Sequence, residues 1–207
     1  MNPISKDEIS KAVKKLKYNG KGTNIISTMV LKDNTNKLSE ILTHVLNICI
    51  SSGYFPDELK TGCITPIFKN GSKNEVKNYR PVCSLSPFSK IFEKIVYQRM
   101  VDFIDQNKIL SSNQFFFHKG LSTESAIIQF INNIHNGLNK RRHTIAIFMD
   151  LSKAFDVLNH NILFEKLEHY GFRGKFLELL TNFVSNRKYF VSANGLTSDI
   201  MCNPHPY

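Results

Sequence analysis

From Ile4 to Lys17 the chain reads ISKDEISKAVKKLK, with Ile9, Ala12, Val13 and Leu16 spaced to share one face of an α-helix. Ser5, followed three residues later by Glu8, has the form of a capping box, so the helix starts there. NGKGTN (19–24) ends it as a turn, since it lacks the order Gly-x4-Gly-Lys-Ser/Thr of a phosphate loop. A second amphipathic pattern predicts a helix from about Asn34 to Ser52, with Leu38, Ile41, Leu42, Val45, Leu46 and Cys49 inward. GYFPDELKTG (53–62) is a loop. CITPIFK (63–69) and YRPVCSL (79–85) then read as the strands of a hairpin whose tip is polar and turn-rich. Ser86, with Pro87 at the first helical position, opens a long helix to about Gln106, with Phe88, Ile91, Phe92, Ile95, Val96 and Phe103 as its buried stripe.

The Ser122–Glu124 cluster starts another helix, to about Lys140. HTIAIFMD (143–150) alternates small or polar with apolar residues and is rich in β-branched ones, so it predicts a buried strand. Asn159 caps a helix to Tyr170, GFRG (171–174) turns the chain, and KFLELLTNFVSN (175–186) is helical. KYFVSANGLTSDIMC (188–202) reads as a hairpin about Asn194–Gly195. Helices outnumber strands and interleave with them, without repeats or low-complexity linkers, and the class is α+β.

Composition narrows the setting. With 207 residues and 42% hydrophobic content, the chain has material for one large domain or two small lobes. No apolar run reaches membrane-spanning length, and MNPISKDEIS lacks a basic-then-apolar leader. The expectation is an intracellular protein, nuclear or cytoplasmic, with no membrane partner. The cysteines at 49, 63, 83 and 202 form no CxxC pair, and there is no HExxH, so reduced buried thiols are expected in place of zinc or disulfides. Net charge is +10, and residues 60–99 hold eight Lys or Arg against Glu75 and Glu93. That stretch suits a phosphate-rich partner, and equally suits a solvated basic face.

The candidate chemistry sits in FMDLSKAFDVLNH (148–160), where Asp150 ends the predicted strand and Asp156 follows six residues on. A carboxylate at the end of a central strand leaves the core and meets a hard cation such as Mg²⁺; the Leu151 carbonyl faces the same ion, and Phe155 packs against a nucleotide sugar. The bland alternative has Asp150 capping a short helix that begins near Ser152, with Phe155 in the core.

AIFMDLSKAFDVLNHNILFEKLEHYGFRG resembles the first catalytic block of reverse transcriptases from non-LTR retrotransposons, the jockey-like and LINE-like elements. TPIFKNGSKNEVKNYRPVCSLSPFSKIFEKIVYQRM resembles their fingers region, SSNQFFFHKGLSTESAI the block between, and FVSNRKYFVSANGLTS the stretch after. The similarity runs in family order over most of the chain from about Ile4. It implies a right-hand polymerase fold, with an N-terminal helical region (1–60), fingers (61–142) and a partial palm (143–207). It further implies Asp150 as catalytic metal-binding carboxylate with Leu151, Phe155 as the aromatic at the nucleotide 2′-position, and Lys69 and Arg80 on the incoming triphosphate. Mg²⁺ as cofactor, with dNTP, RNA template and DNA primer as partners, follows from the same resemblance. Asp156 is expected to support the local structure and not to bind metal.

Two features depart from that family. Its F/Y-A-D-D hairpin is absent from this sequence, whose only Asp after Asp156 is Asp199. Two-metal transfer needs several carboxylates, so this chain alone is expected to polymerise negligibly. Phe116 and His118 stand where the family has Gly and Arg, which predicts crowding at Phe116 if that backbone is left-handed or closely approaches substrate. Three functions therefore compete: a reverse transcriptase fragment, a non-catalytic nucleic-acid-binding remnant using the 60–99 region, and a translated piece of a broken element with no activity.

Overall fold

Ser5 opens α1 (Lys6–Lys14) as its sequence implies. The Glu8 amide donates to the Ser5 hydroxyl (3.3 Å), and the Ser5 amide donates to the Glu8 carboxylate (2.8 Å). The computed structural model describes residues 2–17, 28–118, 120–151, 154 and 157–202. The NGKGTN turn lies outside them. α2 (Thr28–Asp33), a short helix the periodicity did not suggest, runs into α3 (Thr35–Ser52). Leu42, Leu46, Cys49 and Ile50 of α3 are buried, whereas Ile41 and Val45 face solvent. The inward face is thus narrower than the apolar one.

β1 (Thr61–Phe68) and β2 (Tyr79–Ser84) form the expected antiparallel hairpin. α4 (Pro87–Gln106) follows, the Ser86 hydroxyl accepting from the Ser89 amide at 3.1 Å. α5 (Thr123–Asn139) is capped by Ser122, and α6 (His160–His169) by the Asn159 side chain, which accepts from the amides of Asn161 and Ile162. α7 (Lys175–Val184) leads into β3 (Lys188–Ala193), β4 (Leu196–Thr197) and β5 (Met201–Cys202). Asn194 (φ 51°) and Gly195 (φ 80°) make the turn between β3 and β4, both left-handed as a two-residue hairpin of this kind requires.

One sheet results, in the order β2-β1-β3-β4, with β5 also pairing β3. β1 and β3 are parallel, Thr61 opposite Lys188 and Ile64 opposite Val191. The chain divides into two compact units, residues 1–99 with 158–207, and residues 100–157. The sequence boundaries at 60 and 142 do not coincide with these, because β3 joins the sheet of β1 across more than a hundred residues.

The first unit holds the core. Phe55, fully buried, lies 4.6 Å from the Phe92 ring and 5.0 Å from that of Phe183. Ile91, Ile95 and Val96 of α4 and Leu179 and Leu180 of α7 are buried in the same unit. In the second unit no residue of α5 is buried. There the Phe130 and Phe148 rings lie 5.7 Å apart, and Gln129 donates to Asn113 at 3.2 Å.

The predicted strand at 143–150 is not present: those residues carry no strand pairing, and Ile145, Ile147 and Met149 are 86%, 79% and 90% exposed. Strand propensity states only that a segment fits a pleated surface; a strand exists when another backbone completes its ladder, and no described residue does so here. The cysteine expectation holds for Cys49 and Cys63, which are buried, but Cys83 and Cys202 are exposed; all four are free thiols. Phe116 is exposed, and the left-handed backbone falls one residue later, on Phe117 (φ 60°), so crowding from a left-handed backbone does not arise at Phe116. Among the described residues no helix is long and apolar enough to cross a membrane.

Candidate functional site

The β1–β2 hairpin is built so that its tip is firm and one of its faces is cationic. Pro66 stands opposite Pro81. Neither has an N–H, so this is a pair at which the strands exchange no hydrogen bonds, and the bonded pairs alternate with it at Ile67–Arg80 and Lys69–Asn78. The Lys69 amide donates to the Asn78 carbonyl at 2.9 Å, in that register. At the tip Gly71 is left-handed (φ 88°), and a β-carbon there would meet Asn78 Nδ2 at 2.7 Å; the same Nδ2 donates to the Ser72 carbonyl at 2.8 Å. On one face the Phe68 and Tyr79 rings lie 5.5 Å apart, and the Tyr79 hydroxyl donates to the Lys73 carbonyl at 2.9 Å.

Because side chains alternate, Ile67, Lys69 and Arg80 share the opposite face, Lys69 diagonal to Arg80. Both cations are exposed, and among the described residues neither makes an ion pair. The structure therefore brings these two predicted residues together.

The basic stretch at 60–99 does not act as one surface. Lys60 is fully buried, its Nζ 2.6 Å from Asp57 Oδ1 and 5.8 Å from the Tyr54 ring centre. Arg99 is bound to Glu8, and Lys77 to Glu75 at 3.1 Å. What remains divides between the hairpin (Lys69, Lys73, Arg80) and α4, where Lys90 and Lys94 line a pocket of about 540 Å³ with Lys15, Lys17 and Tyr97. Lys15, Lys17 and Tyr97 lie outside the charges that the sequence of 60–99 brings to notice. The available signal was the spacing Lys90, Glu93, Lys94, Tyr97, one helical face.

Asp150 and Leu151 belong to the second unit, both exposed at the end of the unpaired 143–151 segment. Phe155 and Asp156 lie outside the described residues. No group of three or more His, Cys, Asp or Glu side chains able to hold a metal ion occurs among the described residues. Asp150 and the Leu151 carbonyl could supply two of the six oxygens that a magnesium ion takes, the others coming from water and substrate phosphates.

Comparison with known proteins gives this geometry a context. Residues 67–198 match the family model for reverse transcriptase (RNA-dependent DNA polymerase), a span that begins within β1 and ends just after β4. The probable RNA-directed DNA polymerase from transposon BS of Drosophila melanogaster is 27% identical over 92% of this chain and 21% of its own length. The probable RNA-directed DNA polymerase from transposon X-element of the same fly is 25% identical over 96% of this chain and 22% of its own. The RNA-directed DNA polymerase from its mobile element jockey is 23% identical over 97% and 22%. The chain thus spans about a fifth of the length of these curated relatives. With a hairpin, helices and closing strands matched in order by one family model, the chain belongs to the reverse transcriptase family, among the jockey-like, non-LTR members.

Proposed function

We propose that this chain is the fingers and part of the palm of a right-hand RNA-directed DNA polymerase, and that its β1–β2 hairpin holds the triphosphate of an incoming dNTP. The observation that carries this reading is Lys69 beside Arg80 on one exposed face, neither paired with a described carboxylate. A triphosphate needs fixed cations: the planar guanidinium of Arg80 presents a fork to two phosphate oxygens, and Lys69 supplies a compact charge. Ile67, exposed on the same face, offers apolar surface to a base or sugar.

The finer assignments rest on the resemblance. By sequence, Asp150 and Leu151 match the family's Mg²⁺-ligand positions, and Phe155 matches its aromatic at the nucleotide sugar. RNA template and DNA primer are the partners, with residues 1–60 leading into fingers at 61–142 and a partial palm from 143. Asp150 is the metal carboxylate that the resemblance assigns among these residues, and the activity proposed for them is nucleotide binding.

Titration with a fluorescent dNTP analogue tests the hairpin. The double variant Lys69→Ala/Arg80→Ala is expected to bind about a hundredfold more weakly or worse, since each missing charge-assisted hydrogen bond is worth roughly 1.5–3 kcal/mol. Unchanged affinity in a folded double variant overturns the reading. Primer extension on an RNA template with Mg²⁺ is expected to give no product; template-dependent product that Asp150→Ala abolishes would show the chain to be catalytic by itself.

A further inference from the structure

We propose that the solvent-facing side of α3 pairs with the same helix of a second copy of this chain, antiparallel, across a two-fold axis near Thr43. This face shares no residue with the hairpin, so it stands or falls apart from the nucleotide reading.

α3 runs for 18 residues and is apolar on two sides. Leu42, Leu46, Cys49 and Ile50 point into the core. Its C-terminal end is fixed against α7, where a β-carbon added to Gly53 would lie 3.1 Å from that of Glu178. The second apolar side carries Leu38, half-buried, with Ile41, Val45 and Ile48, which are 60%, 39% and 51% exposed. A single exposed apolar residue is ordinary. Four of them at steps of three, four and three form a seam, the a/d repeat whose side chains fill the holes of a facing helix.

The order of those steps identifies the facing helix. Three-four-three reads the same from either end, so an antiparallel copy sets Leu38 level with Ile48 and Ile41 level with Val45. Symmetry makes each contact twice, every residue of the seam meets an apolar one, and the interface closes on itself.

Charge favours the same partner. The chain carries +10, so two copies repel over most of their surface. From Leu38 to Leu59, however, there is no Lys or Arg, and Glu40 is already paired with Lys6 at 2.8 Å. An acidic partner would be drawn to the lysines elsewhere. The α3 stripe is where a second cationic chain meets the least repulsion. Four side chains from each helix bury less than the roughly 1,200 Å² of a stable complex, so the dimer is weak, with a dissociation constant on the order of tens of micromolar.

Sedimentation velocity of the full 207-residue chain is expected to show monomer passing to dimer as concentration rises through that range. Ile41→Lys sets a cation against the partner's apolar seam and should raise the dissociation constant about tenfold or more, with the far-ultraviolet circular dichroism unchanged. Ile127→Lys, at a position 52% exposed on α5, should leave it within about twofold of the parent, which separates the seam from general stickiness. Register is read by cross-linking in a Cys83→Ser/Cys202→Ser background, which removes the exposed thiols. A mixture of Leu38→Cys and Ile48→Cys chains, oxidised with copper phenanthroline, should form a disulfide-linked pair. Leu38→Cys alone should not, since the two copies of residue 38 lie about 15 Å apart along the helix axis in this register. The proposal is overturned if the chain stays monomeric throughout, if folded Ile41→Lys dimerises as the parent does, if Ile127→Lys dissociates the dimer equally, or if Leu38→Cys links to itself as readily as to Ile48→Cys.

Discussion

Arg99 shows how one side chain ties the N-terminus to α4. Its Nε and Nη2 each donate to the Glu8 carboxylate at 3.0 Å, Nη2 also donates to the Pro3 carbonyl at 3.0 Å, and Nη1 to that of Asn2. Burial pushes the Glu8 pKa up, but the Ser5 amide and the hydrogen bonds and charge of Arg99 together outweigh it, so the group is held below its ordinary value of 4.5. A depressed carboxylate contributes stability above that value and loses it as pH falls through the folded one. Glu8→Gln is therefore expected to flatten the fall in melting temperature below about pH 4.5. Arg99→Lys, which cannot keep the fork, should cost about 1 kcal/mol by urea denaturation at pH 7. An Arg99→Lys variant as stable as the parent would refute the role given to the fork.

Among the elements, the 143–151 segment and the β3–β4 hairpin make the useful contrast. Both read as strand, the first from alternation and β-branching and the second from its Asn194–Gly195 turn, yet among the described residues only the second has a paired neighbour. Its left-handed Asn194–Gly195 turn brings its partner within two residues. Since Ile147 is 79% exposed, Ile147→Asp should change unfolding free energy by no more than about 0.5 kcal/mol, the range of ordinary surface substitutions. A loss of several kcal/mol in denaturant titration would mean that the segment is buried after all, as its sequence suggested.

For the molecule as a whole, buried apolar packing is concentrated in the unit formed by residues 1–99 and 158–207. Phe55→Ala removes a ring enclosed by Phe92 and Phe183, and should destabilise that unit by about 3–5 kcal/mol in chemical denaturation. Hydrogen exchange should find the α5 amides less protected than those of α7, because α5 buries no residue while α7 buries Phe176, Leu179 and Leu180. Equal protection in the two helices would contradict this distribution of stability.

The amino-acid order by itself determined what neighbours along the chain decide. Ser5, Ser86, Ser122 and Asn159 cap the helices they precede, and the hairpin tips carry the residues their backbone conformations need. Those signals are local, because the groups that satisfy one another lie within a few residues, and the family resemblance was legible in the same way, as blocks in order. Tertiary structure alone decided that β3 lies parallel to β1, that Lys60 is inside the core and Arg99 committed to Glu8, and that Lys15 and Lys17 face Lys90, Lys94 and Tyr97. A strand needs a partner from elsewhere in the chain, and a charge acts on a ligand only if packing leaves it in water; neither condition is written at the residue itself.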